Sequence, residues 1–182
     1  MANHYEFRFG GSGGQGMMLM GDVMARAAGL YENEEILLTK SYGPEARGGA
    51  CRSEMIVDDE PINYPAITAP NFVLAMTQLA ADSYYKDLAK GGILLIDTDL
   101  VPNPPCGDFT VYSLPLTQLA VNVTGKKIAA NVVAIGAIAV LSGRVSTDAV
   151  WKSVQVQFPA SFEEANRKAF EAGVAAAKEL LK

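Results

Sequence analysis

The chain has 182 residues, 49% of them hydrophobic and 19% charged, which is enough to bury one well-packed core and short for two full domains. Its formal net charge of −5 and pI of about 4.9 argue against a nucleic-acid partner, because no basic stripe is available to neutralise phosphates along a duplex. Two distant cysteines, Cys51 and Cys106, and a single histidine cannot build a zinc site or an iron–sulfur cluster from this chain alone.

Neither a secretory signal nor a membrane span is predicted. The first residues lack a cationic segment followed by an apolar stretch, so we expect a cytoplasmic protein with reduced cysteines. The longest apolar run, 128–141, is too short for a bilayer about 30 Å thick. A helix that is apolar on all sides is instead buried, either by its own sheet or by another subunit.

A glycine-dense turn separates the first predicted strand from the first predicted helix. Residues 5–9 alternate aromatic and charged side chains, as in a strand, and residues 17–30 carry apolar residues at helical spacing without a proline. Strand, glycine turn and helix is the order in which a G-x-G-x-x-G pattern binds phosphate. The pattern here consists of Gly11, Gly13 and Gly16.

Each glycine of this pattern has a physical role in a strand-to-helix turn. One permits positive φ, one removes the Cβ that would block an approaching phosphate, and one lets the helix pack closely on the strand. Backbone N–H groups at the start of the helix then face the anion, assisted by the helix dipole. We therefore predict a phosphate or diphosphate site; the alternative is a glycine turn that only solves a packing problem.

The second predicted strand, 36–39, disfavours an ordinary NAD dehydrogenase. An NAD site has an Asp or Glu at the end of this strand, about 20 residues past the glycines, to bind the ribose hydroxyls. Here the strand ends in Lys40 and Ser41, and three acids precede it instead. Lys40 could still meet the 2′-phosphate of NADP, so a stand-alone NADP-dependent reductase stays as an alternative.

A polar loop follows this strand and is interrupted twice by glycine. It reads Ser41-Tyr42-Gly43-Pro44-Glu45-Ala46-Arg47-Gly48-Gly49, and both Gly-Pro and Gly-Gly break regular structure. Arg47 could clamp a phosphate or carboxylate, Tyr42 could stack or donate a hydrogen bond, and Glu45 could orient Arg47. We predict a ligand or subunit contact; the alternative is a Glu45–Arg47 ion pair that only ties a surface loop.

The remaining strand patterns indicate a mixed sheet. The strand running to Val57 has charged residues at alternate positions, which predicts an antiparallel or edge strand. The acids at 58–60 are expected to be solvated hairpin residues, with a metal site as the alternative. Two later runs, 71–76 and 93–97, are continuously apolar, as in strands buried on both faces of a parallel sheet.

Helical patterns alternate with these strands and fill the rest of the chain. A helix over 78–89 is expected to face inward with Leu79, Ala80, Tyr84 and Leu88. Lys126 and Lys127 precede the apolar helix, where they are expected to be solvated unless they meet an anion. A capping box, Ser161 to Glu164, predicts the start of the last helix, whose apolar stripe is Phe170, Val174, Ala177 and Leu181.

No reaction centre is predicted from the side chains. His4 is the one histidine and lies in the first residues, where we expect disorder, so neither a Ser–His nor a Cys–His pair is expected. Asp97 ends the second apolar strand and could either face a ligand or cap a helix or loop. The chain is therefore expected to bind a ligand without catalysing a reaction by itself.

Two motifs in order resemble one family. The glycine turn and the loop from Ser41 to Gly49 together resemble the gamma subunit of the 2-oxoacid:ferredoxin oxidoreductases and the related domain of single-chain pyruvate:ferredoxin oxidoreductase. The resemblance covers nearly the whole chain, including 131–136 and 166–173. It implies an α/β fold of three layers, α/β/α, with a Rossmann-like mixed sheet and helices on both faces, as a single gamma-subunit domain over 1–182.

The resemblance also implies a function. These enzymes oxidatively decarboxylate a 2-oxoacid on thiamine diphosphate, pass electrons through iron–sulfur clusters to ferredoxin and release an acyl-CoA. Thiamine diphosphate and the clusters belong mainly to other subunits, so the implied partners are alpha and beta subunits and a ferredoxin-like delta subunit where one is present. The implied role of this chain is to contribute to coenzyme A binding and to assembly; a pure assembly subunit with an empty glycine turn is a further alternative.

The resemblance implies a set of site residues, but it does not indicate which of them contact coenzyme A and which contact another subunit. The sequence Pro44-Glu-Ala-Arg-Gly-Gly-Ala50, with 62–65 further on, is more similar to 2-oxoglutarate-type than to pyruvate-type gamma chains. No catalytic or metal-binding residue is predicted. The predicted cofactor-binding residues are Gly11, Gly13, Gly14, Gln15, Gly16, Ser41, Tyr42, Gly43, Glu45, Arg47, Gly48 and Gly49.

Overall fold

The computed structural model describes residues 4–42 and 50–182. Six strands form one sheet in the spatial order β2-β3-β1-β4-β5-β6. The strands are β1 (Tyr5–Ser12), β2 (Glu35–Tyr42), β3 (Ala50–Asp58), β4 (Phe72–Ala75), β5 (Ile93–Asp97) and β6 (Thr110–Leu114).

The helices are distributed along the whole chain. Short turns extend several of them: a π-helical segment continues α1 to Tyr31, and 3-10 turns follow α2 and precede α4 and α6. The α-helices are α1 (Met17–Arg26), α2 (Gln78–Tyr84), α3 (Leu116–Thr124), α4 (Ala130–Ser142), α5 (Thr147–Gln157) and α6 (Glu163–Leu180). Within the described segments, no helix combines the length and the apolar character needed to cross a membrane.

The sheet is mixed, as the strand patterns predict. β1, β4, β5 and β6 run parallel, whereas β3 is antiparallel to both β1 and β2. The alternation along β3 is thus explained by antiparallel pairing, and the edge position belongs to β2. The parallel strands β4 and β5 are buried on both faces, which accounts for their unbroken apolar sequence.

Helices cover both faces of the sheet, and they do so unequally. The larger hydrophobic cluster joins one face to α1, α3, α4, α5 and α6. The smaller one joins the other face to α2 and includes Val73, Ala75, Leu94 and Ile96. The three-layer α/β/α prediction is confirmed, with one layer much thicker than the other.

The apolar helix α4 is buried by its own chain, chiefly by α6. A Cβ added to Gly173 would come 1.9 Å from the Val133 carbonyl oxygen, and one added to Gly136 would come 2.3 Å from the Phe170 carbonyl oxygen. The two backbones are therefore in contact where they cross. Burial on several sides explains why α4 carries almost no polar residue.

Three helix predictions are wrong in detail. Leu79 is 59% exposed, because α2 turns its Ala80, Ala81 and Tyr84 face to the sheet instead. Leu181 is 54% exposed, because α6 ends one residue before it. The capping box does not form: Ser161 lies inside the 3-10 turn Ala160–Phe162, and the Glu164 carboxylate accepts from Lys168.

The N-terminal histidine is ordered, contrary to expectation. His4 Nδ1 lies 2.7 Å from Asp58 Oδ2, and its Nε2 lies 3.2 Å from Glu6 Oε1. The bond to Asp58 raises the pKa of His4, and His4 in turn lowers the pKa of Asp58. Asp58 is 9% exposed, so it ties the start of β1 to the end of β3 and is not a freely solvated hairpin residue.

Candidate functional site

The candidate site is a crevice at the carboxyl ends of β1, β4 and β5. After β1 the chain enters α1 on the thick face of the sheet, and after β4 it enters α2 on the thin face. Neighbouring parallel strands whose helices leave to opposite faces form a switch point, where open α/β sheets bind ligands. β1 and β4 are such neighbours, so the crevice opens between the glycine turn and Met76.

The glycines of the turn differ in their structural roles: positive φ, close packing and open backbone. Gly14 and Gly16 have φ of 91° and 81°, values that L side chains rarely adopt. Gly11 lies in β1, where an added Cβ would come 2.6 Å from Gln15 Oε1. Gly13 has neither constraint, since its φ is not positive and no heavy atom lies within 4 Å of an added Cβ. Gly14 likewise has no heavy atom within 4 Å of an added Cβ, so the backbone is open at both Gly13 and Gly14.

The side chain of Gln15 holds the turn in place. Its Oε1 accepts from the Ser12 backbone N–H at 2.7 Å, and its Nε2 donates to the Met76 carbonyl at 3.0 Å. Gln15 thus links the end of β1 to the end of β4 across the mouth of the crevice. Because both of its polar atoms are used in this way, Gln15 acts on the site by positioning the turn.

The start of α1 presents unpaired backbone donors. The first helical bond runs from Met20 N to Gly16 O at 2.9 Å, so the amides of residues 17–19 precede it. Gly16 is the N-cap residue and offers no side chain to satisfy them. The positive end of the α1 dipole therefore faces the crevice.

A cavity of about 390 Å³ occupies this crevice and is called the turn cavity. Its walls include Gly14 and Gln15 from the turn, Met76 after β4 and Leu100 after β5. Lys127 and Ile128, which precede α4, close the far side. The walls of the turn cavity thus include the open backbone of Gly14 and a lysine, and α1 begins directly after the turn, a set that suits an anion.

Asp97 is a capping residue. It is fully buried, and its carboxylate accepts from the Thr117 amide at 2.9 Å, from the Thr117 hydroxyl and from the Asp99 amide at 3.1 Å. Thr117 lies in the first turn of α3. Of the two interpretations open for Asp97, the capping of a helix and a loop accounts for its contacts.

The described part of the polar loop begins at the same sheet edge as the glycine turn. Tyr42 on β2 pairs with Cys51 on β3, which pairs with Gly11 on β1. Tyr42 is 74% exposed and Ser41 is also exposed, so both side chains are accessible. The other predicted loop residues lie outside the described residues: Gly43, Pro44, Glu45, Ala46, Arg47, Gly48 and Gly49.

The structure gives Lys40 a different partner from the one that an NADP site requires. Its Nζ lies 2.6 Å and 2.7 Å from the two carboxylate oxygens of Asp22 on α1. The ammonium group is thus engaged with a carboxylate. Lys40 was the only residue that supported an NADP-dependent reductase, and its pairing with Asp22 removes that support.

Two site residues have no signal in the local sequence pattern. Lys127 lines the turn cavity and is also exposed, as its position before an apolar helix predicts. Asn131 in α4 packs on the turn, since its Nδ2 lies 2.4 Å from where a Gly16 Cβ would be. Both come from a part of the chain that is distant in sequence from the glycine turn. Among the described residues, no group of three or more His, Cys, Asp or Glu side chains could hold a metal ion.

Comparison with known proteins places this geometry in context. The family model described as pyruvate ferredoxin/flavodoxin oxidoreductase matches residues 6–176. The chain is 42% identical to 2-oxoglutarate synthase subunit KorC of Methanocaldococcus jannaschii over 96% of this chain and 95% of that protein. It is 31% identical to pyruvate synthase subunit PorC of the same organism, over 91% and 93% of the two chains.

Solved structures show the same fold. The gamma subunit of a keto/oxoacid ferredoxin oxidoreductase from Geobacter sulfurreducens PCA superposes with a TM-score of 0.89 at 43% identity, covering 97% of each chain. A 2-oxoglutarate:ferredoxin oxidoreductase from Magnetococcus marinus, solved with 2-oxoglutarate, coenzyme A and succinyl-CoA, superposes with a TM-score of 0.86 at 21% identity. That match covers 97% of this chain and 31% of the other, and it shows a shared fold.

Proposed function

Since the chain belongs to the pyruvate ferredoxin/flavodoxin oxidoreductase family, we propose that it is the gamma subunit of a 2-oxoacid:ferredoxin oxidoreductase and that its turn cavity binds the diphosphate of coenzyme A. Full-length similarity to a gamma subunit at 43% identity supports the first part. The open backbone at Gly14, which lines the turn cavity together with Lys127, supports the second, and so does the uncapped start of α1 that follows it. A diphosphate needs donors and positive charge, and this crevice supplies both.

We propose 2-oxoglutarate as the 2-oxoacid. Within one organism, the 2-oxoglutarate synthase subunit is 42% identical to this chain and the pyruvate synthase subunit is 31% identical. Both are matched over nearly their full length, so the difference does not come from coverage. The 2-oxoacid itself would bind in partner subunits, and the greater similarity to the 2-oxoglutarate synthase subunit supports 2-oxoglutarate.

The proposed complex divides the chemistry among its chains. We propose that alpha and beta subunits hold thiamine diphosphate and iron–sulfur clusters, that a ferredoxin-like delta subunit joins them where present, and that ferredoxin accepts the electrons. The chain itself would act in the cytoplasm as one gamma-subunit domain over 1–182. Its glycine turn and α1 would orient coenzyme A, with the thiol end directed towards the partner subunits that hold the acyl group.

The first test is Gly13→Ala in the assembled complex. An added Cβ meets no atom within 4 Å and no positive φ is involved, so the free energy of unfolding should stay within about 0.5 kcal/mol. A phosphate held against the turn would collide with the new methyl group. We therefore expect the KM for coenzyme A to rise about tenfold or more, equivalent to about 1.4 kcal/mol.

The control is Gly91→Ala, far from the crevice. Gly91 has open space around its Cβ position and a φ of 73°, so the variant should lose about 1 kcal/mol of stability through strain. Its KM for coenzyme A should not change. If Gly13→Ala leaves turnover and the KM for coenzyme A unaltered, the turn is empty and the chain is an assembly subunit.

A further inference from the structure

A proline-rich connection supplies one wall of the turn cavity. Residues 98–109 join β5 to β6 and are called the proline connection, since they include Pro102, Pro104 and Pro105. Leu100 of this connection lines the turn cavity and is 37% exposed. The position of Leu100 therefore sets the width of the cavity on the β5 side.

The fold itself fixes the two ends of the proline connection. At its start, the Asp97 carbonyl accepts from the amides of Leu100 at 3.2 Å and of Val101 at 2.9 Å. The Val101 side chain is buried in the smaller hydrophobic cluster, against α2. At its end, the Asp108 carbonyl accepts from the Gly91 amide at 2.7 Å. The stretch between Val101 and Asp108 has neither attachment.

The side chain of Gln78 attaches that stretch. Its Nε2 donates to the Asn103 carbonyl at 2.8 Å, and its Oε1 accepts from the Asn103 N–H at 3.0 Å. Because proline has no N–H, Asn103 carries the only backbone donor of residues 102–105. Within the described part of the chain, no other hydrogen bond reaches residues 102–106. One side chain thus fixes the middle of the proline connection to the first turn of α2.

The start of α2 is itself fixed at the crevice. Thr77 caps the helix, since its side-chain oxygen accepts from a backbone N–H of the first turn at 3.2 Å. The preceding residue, Met76, lines the turn cavity and donates its N–H to the Gly10 carbonyl at 2.9 Å. Gln78 therefore joins the wall that follows β4, at Met76, to the wall that follows β5, at Leu100.

We infer that Gln78 is a positioning residue of the turn cavity, and that it holds Leu100 against the uncharged part of the ligand next to its diphosphate. This inference rests on the proposed function and adds a residue that lies behind the wall. Met76 and Leu100 present apolar surface to the cavity, whereas Gly14 and Lys127 form the part that suits an anion. An apolar wall contributes to affinity only in contact with the ligand, because a gap forfeits the dispersion attraction.

Loss of the two hydrogen bonds would give the proline connection positions in which Leu100 is withdrawn from the cavity. The affinity for the ligand then falls in proportion to the fraction of molecules that keep the wall in place. Since each neutral hydrogen bond contributes modestly to such an equilibrium, this fraction should fall to about 0.1–0.3. Ligand binding is weakened, and the chemical step in the partner subunits is not.

The experiment compares Gln78→Met with the wild type in the assembled complex. Methionine keeps the length of the side chain and removes both hydrogen bonds. The KM for coenzyme A should rise about threefold to tenfold, while kcat and the KM for the 2-oxoacid stay unchanged. The matched control is Gln118→Met, because Gln118 is also a helical glutamine that donates to a side chain, that of Asn122, at 2.8 Å. This control should have wild-type kinetic constants.

A double-mutant cycle tests whether Gln78 acts through Leu100. Leu100→Ala alone should raise the KM for coenzyme A, because it removes the wall. Adding Gln78→Met to Leu100→Ala should then change the KM by less than about twofold, since no wall is left to position. Hydrogen exchange gives an independent measure. Residues 102–105 contain one amide, that of Asn103, and it should exchange faster in Gln78→Met.

The inference is overturned if Gln78→Met leaves the KM for coenzyme A unchanged, or if its effect and that of Leu100→Ala combine independently. A fall in kcat without a rise in that KM also contradicts it, because it indicates a structural role alone. These failures are distinct from that of the proposed function. A rise in KM with Gly13→Ala but not with Gln78→Met removes the positioning role and keeps the diphosphate site. No rise with Gly13→Ala removes the diphosphate site itself.

Discussion

The crossing of α4 and α6 gives the sharpest test of the fold, through Gly173→Ala. Replacing glycine by alanine inside a helix normally stabilises it by about 0.5–1 kcal/mol, because glycine has more freedom to lose on folding. Here the new Cβ would stand 1.9 Å from the Val133 carbonyl oxygen. That atom belongs to the backbone of α4, so it cannot move aside without moving the helix.

The size of the effect follows from the separation that is needed. Contacts below 3.0 Å essentially never occur at a real Cβ, so the two helices must part by about 1 Å. A gap of that size forfeits a quarter to a half of each dispersion contact, which over about 40 atom pairs of about 0.15 kcal/mol amounts to about 1.5–3 kcal/mol. After subtracting the propensity gain, we expect Gly173→Ala to lower the free energy of unfolding by about 0.5–2.5 kcal/mol.

The assay is urea unfolding of the purified chain, with Ala175→Gly as the matched control. Ala175 is exposed on the same helix, so this control measures the propensity alone and should lose about 0.5–1 kcal/mol. Gly136→Ala opposes Phe170 at the same crossing, and the double variant should cost less than the sum because the helices have already parted. A stabilised Gly173→Ala variant would refute the backbone contact.

Three further predictions concern polar contacts. Gln15→Leu leaves a backbone donor and acceptor of the glycine turn unpaired, so urea unfolding should show a loss of about 1–3 kcal/mol. The pKa of His4 is raised and that of Asp58 is lowered, so the ion pair between them stabilises the fold below the ordinary histidine pKa of 6.5. This stabilisation is lost as pH rises through the raised pKa of His4, and also as pH falls through the lowered pKa of Asp58. His4→Gln should thus cost up to about 1 kcal/mol of unfolding free energy near pH 5.5 and nothing near pH 9. The two-bond pair of Arg144 with Glu34 holds the pKa of Glu34 below its usual value, so Glu34→Gln should destabilise by about 1–3 kcal/mol at neutral pH, by a difference that shrinks as pH falls through the lowered pKa. A pH-independent cost in either titration would contradict the assigned pairing.

Most of the sheet could be predicted from the sequence because its strands are patterned by burial. The continuous apolar runs of β4 and β5 and the alternation of β3 each follow from how many faces are covered. The errors fall on single side chains at element ends. Ser161 has the residue type of a cap, but the 3-10 turn before α6 takes its place, and Leu79 has a core-like side chain at the first turn of a short helix.

The candidate site was predictable only where one local segment builds it. The glycine turn is contiguous, so its pattern reveals it, whereas Lys127 approaches it from the turn before α4 and Asn131 from the start of α4. The ion-pair partners of Lys40 and His4, Asp22 on α1 and Asp58 on β3, also lie outside the local segment of each residue. A local sequence pattern does not indicate which distant side chain completes a contact, so these contact partners could be identified only from the structure.

The capping of α3 by Asp97 gives the crevice a direction. Three helices, α1, α2 and α3, begin at this edge of the sheet. Thr77 caps α2 and the carboxylate of Asp97 accepts from the Thr117 amide of α3, whereas Gly16 offers α1 no side-chain cap. The start of α1 is therefore the one of the three without a side-chain cap, and its dipole attracts negative charge to the glycine side of the crevice. A ligand with one anionic end is therefore oriented with that end towards the start of α1 before it makes close contact. The uncharged remainder of the ligand then contacts the other walls of the crevice.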